Sequence, residues 1–417
     1  SCSVRRLPVH RERAIGTGDA MVGRSAHEPG LLPLMSKEDH RVSSSSIDVI
    51  RAKYVRFPKP LKLALTPALA LLPFSARFGP SYMGLRSKLE AAEADPDLAR
   101  TFQEGALRAL VDVAQRNSDF YRERFLLTFG GAVDASTFDI DDLRKLPILG
   151  RDEVWSHAER LLVIDHKRAN LHQTSGSSGR PPLKIYLDRD MSVREMAFLH
   201  HIWSKVGYRL GDGRAILRDY AGNKASSTKM WHYDRPLREL WLSPFHLRDG
   251  VIDEYLGLLH RYRVRWLYGV PTAISNLARR AELRHWRPPS TLRGILPASE
   301  TLFPMQRARI SQAFGGCPVV NFYGLSERVA IAGELPSEPD TYAFEPLYGI
   351  TELVDDQGRP IAEVGRRGMI VSTGLVSQAM PLFRYATGDY GELAALPTEA
   401  NGYKLLVKQI KSRWSQE

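Results

Sequence analysis

The sequence predicts an α/β protein, with mostly parallel sheet flanked by helices and a small antiparallel or β-barrel-like subdomain after it. Three observations support this reading. Short β-rich runs (RAILRDY, VRWLYGV, RGILPAS, PVVNFYG) alternate with helical ones (AISNLARRAEL, PMQRARISQAF), as in a chain that winds strand and helix in turn. Past Tyr348 the texture becomes GITELVDD, the turn QGRP, IAEVG and RRGMIVSTGL, which reads as a hairpin. At 417 residues, with 43% hydrophobic and 25% charged side chains, the chain has the composition of a globular protein and the length of two or three domain-sized units.

Taken in order, residues 1–45 are rich in Arg, Gly, His and Ser, include RVSSSS and lack a sustained apolar period, so they read as a mobile tail. Residues 46–125 form a helical lead-in, where Phe102, Leu107, Leu110, Val111 and Val113 recur at helical spacing. The apolar stretch LKLALTPALALLPF from Leu61 to Phe74 is shorter than the roughly 20 residues of a spanning helix and contains Pro67 and Pro73. It is expected to be buried or docked on the surface, with no stable membrane insertion. Residues 126–345 form the α/β core and 346–405 the β-rich subdomain, and 406–417 end in KLLVKQIKSRWSQE, which opens as a strand.

Several functions are set aside by composition and by failed motifs. The net charge of +11 is spread without a block of like charge, which suits an anionic ligand and gives no nucleic-acid signature. Cys2 and Cys317 alone make neither a disulfide framework nor a cysteine zinc site, and a reducing, cytoplasmic setting is the simpler reading. In HHIWSKVG, Lys205 stands where the condensation-type HHxxxDG needs Asp, so His200 and His201 read as ordinary helix residues. GLSER is no nucleophile elbow, because Arg328 replaces the closing Gly. His246 and Asp249 lack a third ligand, and no metal beyond a nucleotide-bound Mg²⁺ is expected.

The stretch HQTSGSSGRPPLKIYLD, His172 to Asp188, carries the strongest chemical signal. Backbone N–H groups around Gly176 and Gly179 can curl about an anion, and the hydroxyls of Thr174, Ser175, Ser177 and Ser178 add donors without bulk. By composition alone a Ser/Gly linker or plain turn remains open. A Walker loop does not, since Gly176 is followed by Ser-Ser-Gly-Arg-Pro.

TSGSSGRP resembles the phosphate loop of the adenylate-forming superfamily, whose usual form is TSG[ST]TGKP. NFYGLSE (Asn321 to Glu327) resembles that superfamily's YGxTE element and FRYATGD (Phe383 to Asp389) its YRTGD element, in the same order along the chain. LRKLPILGRDEVWSH, LYGVPTAISNLARRAE and LPASETL are similar to the phenylacetate-CoA ligase branch, with its CapK and coenzyme F390 synthetase-like members. The resemblance runs from about Phe74 to Glu417 and implies the large N-terminal domain of such an enzyme. Two departures stand out. Arg180 replaces the usual Lys, exchanging a compact ammonium for a planar fork. The chain also ends at IKSRWSQE, similar to the family's hinge, so the small C-terminal domain with its lysine is expected to be absent.

The resemblance implies roles residue by residue. Thr174, Ser175, Gly176, Ser177, Ser178, Gly179 and Arg180 would hold the β- and γ-phosphates of ATP, and Glu327 would help hold Mg²⁺. Tyr323, with Gly324 beside it, would offer a flat face to adenine, and Asp389 would accept from the ribose hydroxyls. Arg413 would contact ribose or phosphate; Ser299, Glu300, Phe322 and Ser326 complete the nucleotide set. Residues near Tyr220, Tyr268, Gly269 and Pro271, again with Ser299, Glu300 and Phe322, would line the acid pocket, where Tyr268 and Phe322 are the candidates to flank an aromatic ring. The implied function is AMP-forming activation of a carboxylic acid through an acyl-adenylate, then transfer to coenzyme A or another thiol or amine acceptor. The implied assembly is a homodimer. The alternative is a noncatalytic or impaired nucleotide-binding relative that acts through protein interaction.

Overall fold

In the computed structural model, the described residues are 73–173, 181–218 and 230–412, together with Pro67 and Leu71, and all of them belong to the unit spanning 33–417. The expected mobile tail, the loop Thr174 to Arg180, Tyr220 and Arg413 lie outside the described residues.

The chain first builds a helical layer: α1 (Pro80–Ala94), α2 (Pro96–Asn117) and α3 (Asp119–Phe129). Proline opens α1 and α2, where its missing N–H is no loss. Asp95 ends the first helix and caps the second, its carboxylate accepting from the Asp97 N–H at 3.1 Å. Ser118 caps α3, which stops at Gly130 in the left-handed region at φ 79°. The inward stripe of α2 is Ala99, Gln103, Leu107, Leu110, Val111 and Ala114, close to the expected one. Two short helices follow, α4 (Ile140–Lys145) and α5 (Arg151–His157), and then β1 (Ala169–Gln173) and β2 (Lys184–Asp188). These strands pair antiparallel with Gln173 opposite Lys184, so the two ends of the hydroxyl-rich loop are held side by side.

After α6 (Met191–Ser204) comes a five-stranded sheet of β3 (Arg214–Leu217), β4 (Trp231–Asp234), β5 (Glu239–Leu242), β6 (Trp266–Gly269) and β7 (Gly294–Pro297). Its order is β4-β5-β3-β6-β7; all neighbours are parallel except the edge pair β4–β5. The central strands RAIL, WLYG and GILP are buried throughout, as strands covered on both faces must be. Helices α7 (Asp249–Arg261), α8 (Pro271–Leu283) and α9 (Pro304–Ala313) supply the crossovers and cover. His200 and His201 lie on α6 and are both buried: His200 contacts the Tyr82 hydroxyl at 2.8 Å and the Arg214 guanidinium at 3.1 Å, and His201 faces Glu93.

The larger sheet departs from expectation. It joins β8 (Phe322–Gly324), β9 (Ile331–Leu335), β10 (Glu338–Phe344), β11 (Gly349–Val354), β12 (Arg367–Gly374), β13 (Tyr385–Ala395) and β14 (Leu406–Ser412) in the order β11-β12-β13-β14-β10-β9-β8. Every pair in it is antiparallel. The mostly parallel expectation for the core therefore holds for the smaller sheet and fails for β8, β9 and β10, whereas β11 to β14 are antiparallel as expected past Tyr348. Loop length is the main reason: from β8 onward all connections but the β11–β12 hairpin are ten residues or shorter, and parallel pairing needs a crossover of about a dozen residues or more. Among the described residues β11 and β8 are open edges, so this sheet is not a closed barrel. The hairpin read from GITELVDD to RRGMIVSTGL is the β11–β12 pair, in register from Gly349 opposite Gly374 to Val354 opposite Met369.

A buried guanidinium ties the helical layer to the antiparallel sheet. Arg384 is 5% exposed and donates to Glu352 on β11 at 2.6 Å, to the carbonyls of Arg144 and Leu146 after α4 at 2.7 and 2.6 Å, and to Gly358 in the hairpin turn at 3.2 Å. It belongs to the FRYATGD stretch, yet its contacts are structural. Arg384→Met leaves Glu352 without its partner, and urea denaturation should show a loss of roughly 3–5 kcal/mol. Adding Glu352→Gln should recover part of that loss.

Candidate nucleotide and acid site

The C-terminal ends of the parallel strands lie along one edge, where open α/β sheets generally take their ligands. Tyr268 and Gly269 end β6, Ala298, Ser299 and Glu300 follow β7, and a parallel bridge from Ala298 to Phe322 sets β8 next in the row. Gly269 is small for a structural reason: a Cβ there would collide with the Leu217 carbonyl on the neighbouring strand. Pro271 is buried at the first turn of α8. Ser299 has φ 71°, uncommon for a residue with a side chain. Glu300 closes the start of α8 by accepting from the Thr272 N–H at 3.0 Å and its hydroxyl at 2.7 Å. Tyr268 and Phe322 are nearly buried, 6.3 Å apart and 30° from parallel, with Trp203 5.0 Å from the Tyr268 ring.

Two of the sequence stretches meet directly. The Tyr323 hydroxyl donates to Oδ2 of Asp389 at 2.8 Å, joining β8 to β13. One Asp389 oxygen is thus taken by protein, and among the described residues Oδ1 has no hydrogen-bond partner. Burial pushes the Asp389 carboxyl up to about 6; the Tyr323 hydrogen bond pulls it down and the nearby Glu327 charge pushes it up again. Burial, then the Asp389 charge, raises the Tyr323 hydroxyl well above its ordinary range. Gly324 is exposed beside this pair, and Ser326 is half-buried.

Glu327 accepts from the Tyr385 hydroxyl at 3.0 Å, and a nitrogen of Arg151 lies 4.0 Å from the same oxygen. Arg151 also donates to the Pro181 carbonyl, directly after the hydroxyl-rich loop, at 2.9 Å. Leu149 explains how it arrives there, since it bridges to Tyr385 and accepts from the Ala386 N–H at 3.0 Å. Arg151 therefore touches the surroundings of all three stretches, and no role for it was legible in the sequence. Its position depends on a bridge between residues more than two hundred apart. Arg328, next to Glu327, pairs with Glu195.

The donors suit Mg²⁺ in one way only. Among the described residues no cluster of three His, Cys, Asp or Glu side chains could hold a metal by itself. Glu327, 11% exposed, offers a single carboxylate, which fits an ion that keeps waters and takes its other oxygens from phosphates. A separate cavity of about 440 Å³ contains none of the motif residues; Glu93, His201, Lys205, Glu345 and Lys404 in its wall pair with one another, and Glu334 pairs with Arg307. Among the described residues no helix is long and apolar enough to cross a membrane.

No family model matches the chain. It is 25% identical over 302 residues to Protein CapK of Staphylococcus aureus, covering 72% of this chain and 64% of that one. It is 26% identical over 310 residues to the phenylacetate-coenzyme A ligase of Thermus thermophilus, covering 70% and 64%. The chain thus spans 64% of the length of these two relatives. Among solved structures, an open conformation of 2-hydroxyisobutyryl-CoA ligase in complex with 2-HIB-AMP and CoA superposes with a TM-score of 0.59 at 18% identity, covering 75% of this chain and 69% of that one. The fold is that of adenylate-forming ligases. In sequence the chain is similar to CapK and to the phenylacetate-CoA ligases.

The Asp389 geometry has a pH consequence. A carboxyl whose folded pKa is raised from 3.8 to about 6 binds more protons folded than unfolded across that window, so its contribution to stability falls as pH rises through it. Carbon-detected NMR of the Asp389 carboxyl should give a midpoint near 6, and Tyr323→Phe should move it higher by removing a bond to the ionised form. A midpoint near 4 in both proteins would contradict the described contact.

Proposed function

We propose that the protein is an AMP-forming acid ligase that activates a carboxylic acid with ATP and passes the acyl group to coenzyme A or another thiol or amine acceptor. The observation that carries this reading is the Tyr323–Asp389 contact, with Glu327 alongside, because it unites two stretches distant in sequence at the edge where the parallel strands end. The names of the relatives support it: two of them are ligases that form coenzyme A esters.

A carboxylate is already ionised at pH 7, so its attack on phosphorus needs no general base. The demand is neutralisation of a crowded triphosphate and an in-line approach. A carboxylate oxygen bonds to the α-phosphorus, the bond to pyrophosphate breaks, and an acyl-adenylate remains; the acceptor then bonds to the acyl carbon and AMP departs. In this reading Thr174 to Arg180 hold the β- and γ-phosphates, with Arg151 braced against the end of that loop. Asp389 receives a ribose hydroxyl on Oδ1, the Tyr323 ring stands beside adenine, and Arg413 reaches ribose or phosphate. Glu327 would hold a nucleotide-bound Mg²⁺, which supplies charge neutralisation when bound. The acid lies toward Tyr268, Gly269 and Phe322.

ATP–pyrophosphate exchange across a panel of aliphatic, aromatic and dicarboxylic acids tests the reading, with this chain and with a form extended past Glu417. Exchange should appear with at least one acid, and Asp389→Ala and Glu327→Gln should each reduce it by about a hundredfold. Exchange from neither form with any acid would leave a nucleotide-binding protein rather than a ligase.

A further inference from the structure

One charge in the C-terminal row of the parallel sheet has no counter-charge among the described residues. Arg218 directly follows β3 and is half-buried; its guanidinium lies over the Tyr268 ring, 5.3 Å from the centroid, and donates to the Tyr268 hydroxyl. Among the described residues no carboxylate lies within ion-pair distance of it, whereas Arg151, Arg214, Arg307 and Arg328 each have one. A ring face only partly offsets the desolvation of such a cation. The arrangement leaves guanidinium N–H groups for an anion that the described residues do not supply.

Its place in the row says which anion. The neighbours run β3, β6, β7 and then β8, the last step being the Ala298–Phe322 bridge. At about 4.8 Å per strand, three spacings put Arg218 roughly 14 Å from the strand that carries Tyr323. That is beyond the reach of one arginine to the Tyr323–Asp389 corner, and the interval is occupied by Tyr268 and Phe322. Arg218 thus stands at the central strand of the sheet, three strands from the one that carries Tyr323, with an aromatic surface between.

We propose that Arg218 determines specificity by binding a second negative charge on the acid, so that the preferred substrate is a dicarboxylic acid activated at one end and held at the other, its apolar middle along Tyr268 and Phe322. This rests on the acid-ligase reading and names its substrate class. The bland role for Arg218, packing on Tyr268, predicts no such preference.

The test uses ligands that need no turnover: 5′-O-sulfamoyladenosine and its N-acyl derivatives, compared in isosteric pairs, 4-carboxybenzoyl against 4-nitrobenzoyl and glutaryl against its monoamide. By isothermal titration calorimetry the carboxylate-ended member of at least one pair should bind about tenfold tighter or more, as a charge-assisted contact predicts. Arg218→Met, which keeps an unbranched stem on the ring, should erase that preference and leave the affinity for unacylated 5′-O-sulfamoyladenosine unchanged, while Arg218→Lys should keep part of it. Equal binding within both pairs by the unmodified protein overturns the proposal. So does a variant that weakens every probe alike, unacylated compound included, while its thermal melt is unchanged; Arg218 would then serve the nucleotide. If unacylated 5′-O-sulfamoyladenosine does not bind at all, the ligase reading fails first and this one with it; if it binds without distal preference, only this one fails.

Discussion

Glu334 holds together the place where the two sheets meet. Its carboxylate is buried on β9, accepts from the Asn321 N–H at 2.7 Å and the Asp340 N–H at 2.6 Å, and pairs with Arg307, whose guanidinium also donates to the Val319 carbonyl. A buried carboxylate is tolerated only when such partners replace water. By gripping the chain at Val319 and Asn321, it fixes the turn from the parallel sheet into β8. Phe322 then falls opposite Ala298, and Tyr323 falls where β13 can present Asp389. The Tyr268–Phe322 ring pair and the Tyr323–Asp389 contact occupy adjacent positions because of this one junction.

The same economy shows in how charge is distributed. Several ions away from the strand ends are closely partnered: Arg384 has four partners, Arg214 pairs with Glu239 at 2.5 Å, and Glu93 gathers Lys205, Lys404 and His201. The groups at the strand ends are less fully partnered among the described residues. There, Asp389 has a partner on one oxygen, Glu327 has a single hydroxyl donor with a guanidinium at 4.0 Å, and Arg218 has only a tyrosine. Unfinished electrostatics at a sheet edge are what a ligand can complete.

Much of the chemistry was legible because it rests on local residue types. Small hydroxyl and glycine residues between two strands, an aromatic–glycine pair before a glutamate, and an aspartate after glycine are readable without a fold. Sheet direction was harder. PVVNFYG has the apolar run of a parallel core strand, and Val319 and Phe322 do bridge to the parallel sheet, but Phe322 to Gly324 form their ladder with the antiparallel one. Neither periodicity nor composition marks that change.

What the sequence determined by itself was the set of chemical groups and their order: a loop of glycines and hydroxyl residues, Tyr323, Glu327 and Asp389, and a family resemblance built on them. What only the tertiary structure decided was adjacency. Tyr323 takes one oxygen of Asp389, Arg151 reaches Glu327 through the Leu149–Tyr385 bridge, Arg384 in a motif serves the fold, and Arg218 has no counter-ion among the described residues. The reason is physical: a side chain's identity is local, whereas its partner is chosen by strand pairings between residues far apart in the chain, and no spacing along the sequence encodes them.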